Sequence, residues 1–131
     1  MIDIENYVFT KVKDSIGTDA GMSSTYERSP KSFPHIQLEM TDCSVYERGI
    51  DSGRLENFAN TKFEINIYSN KANGKKVECK ALAHKVDDVM SGLGFIRKFF
   101  YTTPNVADMT IYRMTMRYEG VVGRDNYIYG R

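Results

Sequence analysis

Residue types that can do chemistry are present in this chain, but they are scattered. His84, Asp87 and Asp88 fall at i, i+3 and i+4 of a helical stretch, a spacing that could bring three side chains together as half of a metal site. A complete site needs further ligands, and His35 is the only other histidine. The cysteines, Cys43 and Cys79, stand far apart and outside any C-x-x-C spacing, so they read as reduced thiols. Gly92-Leu93-Gly94 follows a helical pattern instead of opening one, and Arg97 stands where a phosphate loop would need another glycine. Those glycines read as helix stops. Lys75-Lys76 follows the Asn73-Gly74 turn, where backbone N–H groups could meet an anion, although two lysines on a turn are ordinarily just solvated. Ser15, Ser24 and Ser91 lack the G-x-S-x-G setting of a nucleophile elbow. The expectation is a protein that is not an enzyme and that needs no metal or cofactor.

Two basic and aromatic groupings could instead carry binding. Phe95-Ile96-Arg97-Lys98-Phe99-Phe100-Tyr101 mixes the residue types that stack on single-stranded nucleic acid. Strict alternation would place Phe95, Arg97, Phe99 and Tyr101 on one side and Ile96, Lys98 and Phe100 on the other, so neither side is a clean stacking platform. Thr110 to Tyr118 is a sharper pattern: Tyr112, Met114, Met116 and Tyr118 share one face, while Arg113, Thr115 and Arg117 share the other. Arg113 and Arg117 would form a positive stripe, unless each is neutralised by salt bridging within the subunit. The chain then closes on Arg124, Asn126, Tyr127, Ile128, Tyr129, Gly130 and Arg131. Tyr and Arg are the residue types that most often anchor protein interfaces.

The elements that must position these groups follow from periodicity. Ile4, Tyr7, Val8, Val12 and Ile16 predict a helix over residues 2–16, with Asp3 and Glu5 in its first turn and Gly17 at its end. Ser23 to Arg28 predicts a strand, and Phe33 to Met40 a second, with Ile36, Leu38 and Met40 on one face. A long contact loop is expected over about 42–59, carrying Tyr46, Arg48, Arg54 and Phe58 as docking candidates. Thr61 to Ser69 alternates cleanly and predicts a strand. Cys79, Leu82, Ala83, Val86, Val89, Met90 and Leu93 form a helical stripe ended by Gly92 and Gly94. Strands over 95–102 and 109–122 follow, then a C-terminal arm over about 123–131. The order predicts one α+β domain spanning residues 1–131: a mostly antiparallel sheet of four to five strands with two helices packed on one face.

Composition narrows the class. Hydrophobic residues make up 41% and charged residues 27%, which indicates neither a disordered chain nor a membrane protein. The start, Met1-Ile2-Asp3-Ile4-Glu5, lacks the basic and apolar segments of a signal peptide, so assembly in the cytoplasm is expected. A net charge of +1 argues against a dedicated duplex-DNA binder. Its distribution is uneven: residues 1–60 carry net −4, 61–96 net +2 and 97–131 net +3. Ends of opposite sign can steer copies of one protein head to tail.

Read in order, the chain resembles the tail terminator or tail-completion proteins of long-tailed bacteriophages and prophages. The resemblance rests on the opening helix of Asp3 to Ile16, the Pro34-His35-Ile36-Gln37-Leu38 strand and the Phe63-Glu64-Ile65-Asn66-Ile67-Tyr68 strand. It rests also on the helix ending Gly92-Leu93-Gly94-Phe95 and on the segment Tyr112-Arg113-Met114-Thr115-Met116-Arg117-Tyr118-Glu119-Gly120. That family implies a small subunit of a hexameric ring at the head–tail junction of the virion. The ring caps the tail tube protein, stops its polymerisation and docks the head–tail connector or stopper, while DNA passes through without sequence-specific reading. On this reading Arg97, Arg113, Arg117, Arg124, Tyr127, Tyr129 and Arg131 would face a neighbour or the lumen. The alternatives are another neck or tail protein, stopper or tube-like, and a nucleic-acid-binding accessory domain.

Overall fold

The structure is a computed structural model, and the residues it describes are 2–25, 32–45, 58–103, 110–123, 125 and 128–129. Helix α1 spans Glu5–Ile16, strand β1 Gly21–Ser23, β2 His35–Val45 and β3 Phe58–Ser69. Helix α2 spans Lys75–Leu93, β4 Ile96–Thr102, β5 Tyr112–Gly123 and β6 Ile128–Tyr129. The sheet runs β1-β2-β3-β5-β4, with β6 attached to β5. All pairings are antiparallel except that of β1 with β2, which is parallel. The α+β architecture expected from the sequence is therefore present, with both helices on one face.

The core forms where helical and strand periodicities meet. From α1, Val8, Val12 and Ile16 are buried; from α2, Cys79, Leu82, Ala83, Val86 and Met90. They close over Ile36 and Leu38 of β2, Phe63, Ile65 and Ile67 of β3, and Met114, Met116 and Tyr118 of β5. Each fully buried aliphatic or aromatic side chain in that layer contributes about 1.5–3 kcal/mol. Phe95 completes it, meeting Phe63 edge to face at 5.2 Å between ring centroids. Helix α1 ends at Gly17 with φ 62°, and α2 ends at Gly94 with φ 111°, both left-handed values that a side chain would strain. Gly92 lies inside the last turn of α2, so Gly94 alone is the stop.

Several boundaries differ from the sequence expectation. The first strand is Gly21–Ser23, which shares only Ser23 with the expected Ser23–Arg28; Ser24 and Thr25 are not in it, and residues 26–28 lie outside the described residues. Of the loop expected over 42–59, residues 42–45 belong to β2 and 58–59 to β3, while 46–57 lie outside the described residues. Cross-strand hydrogen bonds carry that extension: Cys43 faces Thr61, Ser44 faces Asn60 and Val45 faces Ala59. The strand expected over 109–122 is β5, which starts at Tyr112 after Thr110 and Ile111, while Met109 lies outside the described residues. Of the C-terminal arm, Ile128 and Tyr129 pair with Val122 and Val121 of the same chain.

Candidate functional site

With the helices covering one face of the sheet, the opposite face holds the groups that could meet a partner. Register makes it a set of cross-strand rows. Gln37, Asn66 and Thr115 stand side by side on β2, β3 and β5, next to Tyr101 on β4; Glu39, Glu64 and Arg117 form the adjoining row, next to Phe99. Beyond a bulge in β2, Asp42, Lys62 and Glu119 make the next row, next to Ile96.

The middle of this face is polar and buried. Gln37, Asn66 and Thr115 are each no more than 3% exposed, and they satisfy one another. Asn66 donates through Nδ2 to Gln37 Oε1 at 3.2 Å and to Glu64 Oε1 at 3.2 Å. Its Oδ1 accepts from Thr115 Oγ1 at 2.7 Å and from Arg113 Nε at 3.0 Å. Since Thr115 spends its one hydroxyl proton on Asn66, the 2.6 Å contact between Thr103 Oγ1 and Thr115 Oγ1 has Thr103 as donor. A buried polar network of this kind is stable only when its members are satisfied, and it fixes strand register as no apolar row could.

Arg113 and Arg117 of β5 share the face opposite the helices, as expected, and both are engaged within the subunit. Arg113 is tied to Asn66 and lies 5.7 Å from the centre of the Tyr68 ring. Arg117 pairs with Glu64 at 3.5 Å with its side chain half exposed. Arg97 is not with them. A bulge between Arg97 and Phe99 leaves Lys98 unpaired and shifts the phase of β4, so Arg97 sits opposite Tyr118 while Phe99 sits opposite Arg117. Arg97 thus lies on the helix side, where its guanidinium contacts Asp87 at 3.0 Å. Strict alternation across Lys98 fails for that reason. It had grouped Arg97 with Phe99 and Tyr101, but only the two aromatics share a face, edge to face at 6.4 Å.

Asp87 also accepts a hydrogen bond from the Tyr118 hydroxyl at 2.6 Å. Burial first, and then that hydrogen bond and the charge of Asp87, hold the Tyr118 phenol well above its ordinary range. Asp87 is therefore committed to the sheet, whereas His84 and Asp88 are exposed on α2. Among the described residues, no three His, Cys, Asp or Glu side chains gather where they could hold a metal ion. Lys75 is likewise engaged, donating to the carbonyl of Thr110 at 3.1 Å.

Of the other expected interface residues, Phe58 is the first residue of β3, half-buried opposite Gly123. Tyr129 has its backbone in β6. Tyr46, Arg48, Arg54, Arg124, Tyr127 and Arg131 lie outside the described residues. Sequence reasoning missed the Gln37–Asn66–Thr115 row. The signal was there, since these polar residues alternate with the apolar ones on three strands, but only the pairing register brings them together.

The chain therefore belongs to the class of α+β proteins with two helices on one side of a mostly antiparallel sheet. No protein-family model matches it, and no curated protein matches its sequence. Among solved structures it is similar to a chain of the virion of a native gene transfer agent particle, with TM-score 0.58 and 14% identity, over 86% of this chain and 88% of that one. At that identity the likeness is one of fold. Among the described residues, no helix is long and apolar enough to cross a membrane.

Proposed function

We propose that this chain is a structural subunit of a phage-type virion, and within it the tail terminator: a ring subunit that caps the tail tube and presents the surface on which the head connector docks. The observation that carries the reading is the fold it has in common with a chain of the gene transfer agent virion, over more than four-fifths of both chains. Two features support it. Asp87 is spent on holding Tyr118 and Arg97, and Asn66 on joining three strands. The sheet ends in an edge strand, β4, that leaves aromatic side chains open. On this reading the protein acts by matched surfaces, with itself, the tube protein and the connector as partners, and DNA passes its ring without base reading. Arg113 and Arg117, being engaged within the subunit, would give the passing backbone only a weak, mobile attraction.

The test is localisation and loss. Immunogold labelling should mark the head–tail junction of particles, and deletion of the gene should give tails of abnormal length or tails that cannot join heads. Labelling along the whole tail would make the chain a tube protein instead. Normal particles without it would end the reading.

A further inference from the structure

The two ends of the sheet differ in kind. At one end, among the described residues, β4 pairs only with β5, and Phe99 is 55% exposed, with Ile96 and Tyr101 each 41%. These three project from the face opposite the helices, beside the bulged Lys98. An open edge strand bearing apolar side chains is a template for association unless something covers it. At the other end, α1, β1 and β2 carry the acidic excess: residues 2–25 and 32–45 hold six carboxylates against two lysines. That edge is also guarded. The Glu5 carboxylate of α1 accepts the backbone N–H of Met40 at 2.6 Å, occupying a donor that another strand would need.

Charge decides which partner fits. Among the described residues Lys98 has no ion pair, whereas Arg97 is held by Asp87 and Arg117 by Glu64, so β4 set against its own twin would bring two such lysines together. The acidic end of another copy is complementary. There Glu39 and Asp42 lie on the same face as Phe99 and Tyr101, and among the described residues neither side chain has an ion pair or hydrogen bond. We propose that β4 is the donor half of a head-to-tail contact between copies of this chain: Phe99 and Tyr101 anchor it on the α1–β2 end of the next copy, and Lys98 faces the carboxylates of its Glu39 and Asp42. The inference rests on the ring-subunit reading and names the surface by which the ring would close. Because Glu5 occupies Met40, the contact is made chiefly by side chains and not by an unbroken sheet.

Light scattering and native mass spectrometry on the full chain, over a concentration series, test it. Wild type should assemble beyond a dimer, and more weakly as salt rises. Phe99→Ser with Tyr101→Ser should raise the half-assembly concentration at least about tenfold, as loss of an interface anchor does. Lys98→Glu should weaken assembly, and adding Asp42→Lys should restore it. All four positions are exposed, so melting curves should stay close to wild type and certify the fold. If wild type assembles and the double serine variant does so equally well, the surface is wrong while the ring reading stands. If Asp42→Lys fails to rescue Lys98→Glu, the proposed pairing of ends is wrong. A wild type that stops at a dimer, together with a Phe99→Cys variant that a thiol crosslinker captures as a dimer through that position, replaces the head-to-tail geometry by a symmetric one. A wild type that stays monomeric throughout overturns the contact, and intact particles on gene deletion would overturn the ring reading separately.

Discussion

The hydroxyl of Tyr118, at the centre of β5, donates to the carboxylate of Asp87 on α2 at 2.6 Å, and Arg97 of β4 reaches the same oxygen at 3.0 Å. One carboxylate thus joins the second helix, a central strand and the edge strand on the helix side of the sheet. Its position explains why a residue that looked like a metal ligand in the sequence is a fastener in the structure.

Removing the two partners of this contact should have unequal effects. Tyr118→Phe deletes a hydrogen bond to a charged acceptor that keeps Arg97, at a cost of about 1–2 kcal/mol. Asp87→Ala strands a fully buried phenol hydroxyl as well as Arg97, and should cost about 2–4 kcal/mol. Urea unfolding of the two variants checks the order; equal losses would show that neither the stranded hydroxyl nor the freed Arg97 carries a cost.

Stability should fall on the alkaline side. The Cys79 thiol is pushed up to about 12 from 9.0, by burial first and by the charge of Glu78 second, and Tyr118 is raised above its ordinary 10.0. A raised value means that the folded state keeps a proton the unfolded chain releases. The contribution is complete below pH 9 and is lost between about pH 9 and 12 for the thiol, with the phenol adding to the loss above pH 10. Melting temperature against pH should show the decline, and Tyr118→Phe should flatten its upper part. At pH 8 a thiol reagent should modify half-buried Cys43 well before Cys79.

The polar row should matter more than the exposed ion pair beside it. Asn66→Ala leaves Gln37, Thr115 and Arg113 without the amide that links them and should cost about 2–3 kcal/mol. Arg117→Ala removes a half-exposed partner of Glu64 and should cost less than about 1 kcal/mol. Denaturant midpoints of the two variants, with slopes compared, decide the matter.

Two glycines should refuse a methyl group. A Cβ on Gly120 would stand 2.8 Å from Phe95 Cδ1, and one on Gly94 would stand 2.8 Å from the carbonyl oxygen of Ile128. Gly120→Ala should cost about 1–3 kcal/mol through overpacking. Gly94→Ala adds strain at φ 111° and pushes on backbone, so it should cost more and should release the pairing of Ile128 with Val122. Hydrogen exchange at Val122 and Ile128 would report that release.

The helix side of the fold was legible because its residues repeat. Val8, Val12 and Ile16, the Cys79 to Met90 stripe, and Phe63, Ile65 and Ile67 each obey one period and each enter the core. The strand ends around 42–60 were not legible, since Asp42, Ser44, Asn60 and Lys62 alternate with residues as small or polar as Cys43, Ala59 and Thr61. Polar runs of that kind resemble a loop until pairing shows their period. The placement of Arg97 failed for a different reason: nothing in Arg97-Lys98-Phe99 announces an extra residue, and one such residue inverts every face after it. The buried polar row needed long-range register, which joins residues 37, 66 and 115 across separations no local pattern spans.

Both bulges sit at one height. That in β2, between Met40 and Asp42, and that in β4, between Arg97 and Phe99, flank the same central pair, Phe63 and Tyr118. A bulge bends and further twists its own strand, and here two strands are bent on either side of one cross-strand pair. In the ring proposed above, that bend would set the angle at which each copy meets the next. On that reading, excising Lys98 should change how many copies complete a circuit before it changes whether a single copy folds.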